Sequence, residues 1–344
     1  MEQKSRQQRD FYNIRKVDTH IHHSACMNVN TLLRFIKKKA QKEPNKAVLF
    51  DNATKKVVTL REVFEKHQLE TQNINVDVLD VQAGFETFHR FDRFNKKYNP
   101  FSRTDFREIF LKVDNYIGGE YLAEITKEVF DNYAQCKYIF SELRISIYGR
   151  NAKEWDKLAN WFEKYGLYHH QVRWMIQIPR LYEVYRKADM IQNFQQMIDN
   201  IFQPLFEVTI NPDSNPSLYK LLLQVVGFDS VDDESVYEKS ANTTSFSTTP
   251  DQWTQFENPH YCYWAYYIWA NIYNLNYLRK IRGLNSFAFR PHCGEAGSSE
   301  HLMAAYLLAD GINHGIKLEK APVLQYLYYL KQIGIAMSPL SNNK

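Results

Sequence analysis

Short runs rich in Val, Ile and Phe alternate along the chain with longer stretches whose apolar residues recur at helical spacing. That rhythm predicts βα units around a parallel sheet, since strands covered on both faces read as apolar runs and their crossovers as amphipathic helices. Seven strands are predicted, at Lys16 to His22, Glu142 to Tyr148, Val172 to Ile178, Val225 to Asp229, Phe287 to His292, Gly311 to Gly315 and Ile333 to Ser338. Several helix ends carry signals. Thr59 with Glu62 has capping-box spacing, Asn258-Pro259 places a cap before proline, and Gly283 follows Arg279, Lys280 and Arg282. Leu32, Leu33, Phe35 and Ile36 share one helix face, and Lys37 to Lys39 read as its solvated end. The aromatic-rich stretch Tyr261 to Leu278 is interrupted by Asn271, Asn274 and Asn276, so it reads as a buried helix and not a membrane span. Two excursions break the rhythm: residues 71–120, a candidate binding insertion rich in aromatics, and the Ser/Thr-rich stretch 231–251, a surface loop. No repeat of solenoid period is present.

Composition narrows the function classes. With 344 residues the chain can form one large α/β barrel. The balance of 43 Lys+Arg against 39 Asp+Glu gives only +4, too small and too scattered to suggest a nucleic-acid partner. Cys26, Cys136, Cys262 and Cys293 are widely spaced and form no C-x-x-C pair, so neither a zinc ribbon nor a disulfide framework is expected, and a reducing cytoplasm fits. The polar opening through Asp10 does not read as a secretory signal.

Chemistry enters at the strand ends. In His20-Ile21-His22 the two-residue period of a strand turns both imidazoles to one face, offering two metal ligands, although partly exposed histidines without a role would look the same. Phe289-Arg290-Pro291-His292-Cys293-Gly294-Glu295 is an apolar strand ending on a histidine, then a turn and a carboxylate: His292 could be a third nitrogen ligand and Glu295 a proton donor, or Glu295 could simply lie near a helix N-terminus. Ile312-Asn313-His314-Gly315 places another histidine at a strand end, where an imidazole can serve as base or be a packed core residue. His67, His89, His169, His170, His260 and His301 fall on helices or loops and suggest no chemistry. Taken jointly, four histidines and a glutamate at the ends of three strands favour a mononuclear metal hydrolase, and nitrogen-rich ligation favours zinc.

At these residues the sequence resembles the AMP deaminases. Lys16-Val17-Asp18-Thr19-His20-Ile21-His22-His23-Ser24-Ala25-Cys26-Met27 is similar to that family's first-strand motif. The blocks Phe91 to Pro100, Ile145 to Arg150, Val231 to Ser235, His292 to Gly297 and Ala336 to Asn343 follow in the family's order. The resemblance implies a TIM-type (β/α)8 barrel of the metal-dependent hydrolase kind as a single domain over 1–344, with one Zn2+ per chain held by His20, His22 and His292. It implies hydrolytic deamination of AMP to IMP and ammonia by a zinc-activated water, with Glu295 as proton donor to the purine ring and His314 as base. His22 and Glu295 would also touch the substrate, and Arg93, Phe94, Asn95, Lys96, Lys97 and Tyr98 would bind the nucleotide, the cations facing its phosphate. A cytoplasmic homo-oligomer without a nucleic-acid or membrane partner is expected.

The sequence departs from the family pattern at Arg93, where lysine is usual, and at Gln82, where histidine is usual. The last residue, Lys344, follows directly on Ser341-Asn342-Asn343, so the family's eighth strand, its metal-binding aspartate and the C-terminal helices have no counterpart here. An open barrel edge would expose unpaired backbone and predicts poor solubility for this exact chain. The same features suit a second reading, an inactive truncated paralogue that binds nucleotide or associates with a full-length deaminase.

Overall fold

The computed structural model describes residues 13–51, 55–79, 99–236, 238 and 247–338. The chain forms two compact units, residues 1–143 with 165–173 and residues 144–164 with 174–344.

In the first unit, β1 spans Lys16–His22, as the sequence predicts. Its start is tied to the segment before β4 (Ile139–Ser146) by Lys16 N donating to Tyr138 O at 2.8 Å. Helix α1 (Val29–Lys42) begins at Asn28, whose side chain accepts from the backbone N–H of Asn30. It buries Leu32, Phe35 and Ile36, and Phe35 meets Phe110 of α3 (Thr104–Leu111) and Tyr121 of α4 (Glu120–Ala134) edge-on, centroids 6.3 and 6.1 Å apart. Such T-shaped contacts bring the positive edge of one ring to the negative face of another. The lysine run is not uniformly a solvated end. Lys39 is buried, with its ammonium 2.6 Å from Glu43 and 2.8 Å from Glu124 and lying over the Tyr121 ring. Its charge is tolerated because two carboxylates and a ring face replace the lost water.

Between α1 and α2 (Leu60–Lys66) lies an antiparallel pair that the parallel rhythm does not predict, β2 (Ala47–Asp51) with β3 (Lys56–Thr59), in register at Leu49↔Val58 and Phe50↔Val57. Thr59 then caps α2 as its spacing predicts: the Thr59 N–H donates to Glu62 Oε2 at 2.6 Å and the Glu62 N–H to Thr59 Oγ1 at 3.4 Å. Of the 71–120 excursion the described part includes α3 and the start of α4, and it supplies core through Phe106 and Phe110.

In the second unit every registered strand pair is parallel. Strand β5 (Val172–Pro179) pairs with β6 (Val225–Val231) at Ile176↔Phe228 and Gln177↔Asp229, and β6 with β7 (Ala288–Phe289) at Gly227↔Ala288. Strand β8 (His292–Cys293) pairs with β9 (Gly311–His314) at His292↔Asn313, and β9 with β10 (Gly334–Ala336) at Ile335↔Ile312. Helices make the crossovers, as parallel neighbours require: α5 (Lys153–Tyr165), α6 (Phe194–Ile210), α7 (Tyr261–Ile281), α8 (Glu300–Leu308) and α9 (Pro322–Lys331). The architecture is mixed α/β with parallel strands.

Several predicted boundaries move: the strand expected over Glu142 to Tyr148 runs over Ile139–Ser146, and the one expected over Ile333 to Ser338 shortens to Gly334–Ala336. The strand expected over Phe287 to His292 is broken into β7 and β8, because Pro291 has no N–H to give a ladder. The cap of α7 is His260, while the Asn258 side chain accepts instead from the Glu183 N–H at 2.9 Å. Helix α7 is also not buried all round. Trp264, Ile268, Ile272 and Leu275 point inward at helical spacing, while Tyr266, Tyr273, Tyr277 and Ile281 are exposed. It ends as predicted at Gly283, whose φ of 69° lets the Leu284 N–H reach back to Arg279 O at 2.9 Å. Among the described residues no helix is long and apolar enough to cross a membrane.

Candidate active site

In the first unit, alternation along β1 puts His20 and His22 side by side, their ring centroids 5.4 Å apart and edge-on. The third histidine of the run, His23, has a different job. It is buried, and its Nε2 lies 2.8 Å from Thr126 Oγ1, whose hydroxyl donates to Leu122 O at 2.6 Å. Burial pushes its pKa down to about 3, so it is a neutral ring that donates to threonine and fastens the end of β1 to α4.

In the second unit, His292, Glu295 and His314 come together. The rings of His292 and His314 are 5.0 Å apart, and His314 Nε2 lies 3.5 Å from Glu295 Oε2. His314 is buried at the end of β9 with φ +71°, a left-handed backbone that a non-glycine residue adopts at a cost of about 1–2 kcal/mol. Such strain concentrates at functional positions. Beneath His292 is a network that no local sequence pattern singles out. Asp229 Oδ1 lies 2.9 Å from His292 Nδ1 and accepts from the His292 N–H at 3.1 Å. Its other oxygen accepts from Arg144 Nη1 at 2.6 Å, and Arg144 Nη2 donates to Asn313 Oδ1 at 2.7 Å. Arg144 and Asp229 are fully enclosed. A buried ion pair is tolerated when further hydrogen bonds replace the lost water, which the bonds to His292 and Asn313 do here.

A second polar cluster follows β6. Arg180 pairs with Asp232 and Glu238, and His301, which its place in the sequence does not mark out, lies 3.7 Å from both Glu234 and Glu238 and stacks on Tyr261 with centroids 4.0 Å apart. Burial alone would lower the pKa of His301, but the two carboxylates of Glu234 and Glu238 beside the ring outweigh it and raise it to about 9. In the sequence, only the acidic Val231 to Ser235 block hints at a cationic partner.

Arg93, Phe94, Asn95, Lys96, Lys97 and Tyr98, like Gln82, lie outside the described residues, as do residues 237 and 239–246 of the Ser/Thr-rich 231–251 stretch.

Parallel strands that end on histidines and a carboxylate make this an α/β protein with its candidate chemistry at strand termini, where such folds place their sites. Comparison with known proteins gives the family. The chain matches the AMP deaminase family model over residues 1–344 and belongs to that family. It is 56% identical over 341 residues to a probable AMP deaminase of Oryza sativa subsp. japonica, covering 99% of this chain and 41% of the relative. It is 56% identical over 341 residues to an AMP deaminase of Arabidopsis thaliana (99% and 40%) and 53% identical over 342 residues to AMP deaminase 3 of Homo sapiens (99% and 44%). The chain thus spans about two fifths of the length of the curated relatives it matches.

Proposed function

We propose that the chain carries the catalytic machinery for hydrolytic deamination of AMP to IMP and ammonia, on a fold of the (β/α)8 metal-dependent hydrolase type, in purine nucleotide metabolism in the cytoplasm. The observation that carries the reading is the meeting of His292, Glu295 and His314 at the ends of two neighbouring parallel strands of the second unit, in a chain of this family.

His20, His22 and His292 would hold the metal. Their donor chemistry fits: three imidazoles are a donor set that a metal site with an open position for water uses. With Nδ1 of His292 against Asp229, Nε2 is the nitrogen that would ligate. Zinc suits a three-nitrogen set, and a bound zinc would supply Lewis acidity and an activated water.

Glu295, acting as a carboxylic acid, would give a proton to the purine nitrogen beside C6, making that carbon more electrophilic. His314, whose Nε2 lies 3.5 Å from Glu295, would remove the proton from the attacking water. Arg93, Lys96 and Lys97 would pair with the phosphate, a charge that distinguishes AMP from adenosine, while Phe94, Asn95 and Tyr98 complete the nucleotide contact.

The test is conversion of AMP to IMP by the purified chain with zinc, beside adenosine. Turnover of AMP alone is expected. A folded sample without turnover would overturn catalysis by this chain and favour nucleotide binding or association with a longer deaminase.

A further inference from the structure

We propose that Asp229, held by Arg144, is a positioning residue that fixes both the ring orientation and the tautomer of His292. Arg144 also ties that carboxylate, through Asn313, to the strand that presents His314. The inference deepens the functional reading above and rests on it, since it concerns how His292 is aimed as a ligand.

The geometry leaves Asp229 little other purpose. One carboxylate oxygen takes two bonds from a single residue, the backbone N–H of His292 at 3.1 Å and its Nδ1 at 2.9 Å. The bond to the backbone N–H anchors the carboxylate beside His292, and the bond to Nδ1 then sets the direction in which the ring points. The carboxylate accepts only, so Nδ1 must carry hydrogen, and in the neutral ring Nε2 presents a lone pair. Asp229 cannot swing away, because its second oxygen is held by Arg144 Nη1 at 2.6 Å. Arg144 is fixed in turn by Asn313, whose Oδ1 accepts from Nη2 at 2.7 Å and whose Nδ2 donates to Arg290 O at 2.7 Å, two residues before His292. The network therefore closes on the backbone of both candidate strands: Asn313 directly precedes His314, and Arg290 lies just upstream of His292. A planar guanidinium with forked donors can bridge two acceptors in this way, whereas lysine would offer a point charge without the fork.

A core ion pair with no link to ligation would have no need of the imidazole. Partners placed this way behind ligating histidines typically matter about 10–100-fold in metal affinity.

The experiment measures the zinc dissociation constant of the unmodified chain, Asp229→Asn and Arg144→Met by competition with a chromophoric chelator, with the melting temperature of each metal-free protein alongside. Expected is a rise in the zinc dissociation constant of roughly 10–100-fold for Asp229→Asn and a smaller rise for Arg144→Met. A merely structural pair would lower the melting temperature and leave the zinc constant within about twofold, which overturns the proposal. Nitrogen-15 shifts of the His292 ring in the unmodified metal-free chain at pH 8 provide an independent test. Hydrogen on Nδ1 with Nε2 unprotonated supports the assignment, and hydrogen on Nε2 alone overturns it, even should the variants not fold. If the unmodified chain binds no zinc, the functional reading falls, and the tautomer still decides the role of Asp229.

Discussion

Gly297 faces the backbone carbonyl of Glu234 so closely that a Cβ on Gly297 would lie 1.8 Å from that oxygen. The contact sets the turn that follows Glu295 directly on the segment after β6. Its φ of +64° is also in the left-handed region.

Gly297→Ala is therefore expected to cost more than the roughly 1–2 kcal/mol of the left-handed backbone alone, because a carbonyl oxygen cannot rotate out of the way as a side chain can. Gly166→Ala is the matched control, with φ +61° and nothing within 4 Å of its Cβ. Thermal melts should rank Gly297→Ala well below Gly166→Ala; equal melting temperatures would show that the turn relaxes freely.

His301 makes stability depend on alkaline pH. Its folded pKa of about 9 lies above the ordinary 6.5, so the protonated form is favoured by folding. That contribution is fully present below pH 6.5 and is lost as pH rises through about 9, amounting to something on the order of 3 kcal/mol. The groups facing the ring are Glu234, Glu238 and Tyr261, with Arg180 paired to Glu238. Urea midpoints measured from neutral to alkaline pH should fall for the unmodified protein and flatten for His301→Gln. A parallel fall in both would assign the effect elsewhere.

Thr59→Ala removes one half of a reciprocal cap. The expected loss is about 1 kcal/mol, with Glu62 left as an ordinary first-turn acid. Denaturant unfolding of Thr59→Ala against Thr59→Ser checks it, since serine should retain most of the stability.

Glu295→Gln and His314→Ala should each lower AMP turnover by roughly 10^2–10^4-fold, the usual worth of a positioned acid or base. Glu295→Gln should leave bound zinc unchanged. Turnover within a few-fold of the unmodified chain in either variant would remove that residue from the proton-transfer scheme.

The legible parts of the sequence are those in which one local pattern decides. The strands over Lys16–His22 and Val172–Pro179, the capping box at Thr59 and the Schellman end at Gly283 each follow from side chains a few residues apart. The candidate residues His292, Glu295 and His314 are visible because each stands at or just beyond an apolar run's end. Asp229, Arg144 and His301 are not, because their meaning lies in partners far along the chain: His292 is 63 positions from Asp229, and Arg144 is 85 from Asp229 and 169 from Asn313. The burial of Lys39 is hidden for the same reason, since one of its two carboxylates arrives from α4. The β2–β3 hairpin is equally hard to see, because a short apolar run between helices reads as loop unless its pairing partner is known.

The division of one expected strand at Pro291 separates two tasks that a continuous strand would have merged. β7 belongs to the ladder of β6 and β8 to that of β9, so His292 sits at a seam and is aimed by a neighbouring carboxylate more than by the pleat. Scaffold and aim are then carried by different contacts: β7 completes the ladder of β6, whereas the direction of the imidazole comes from a side chain of β6 that is itself locked to Arg144, so a histidine at the end of one strand takes its orientation from the strand beside it.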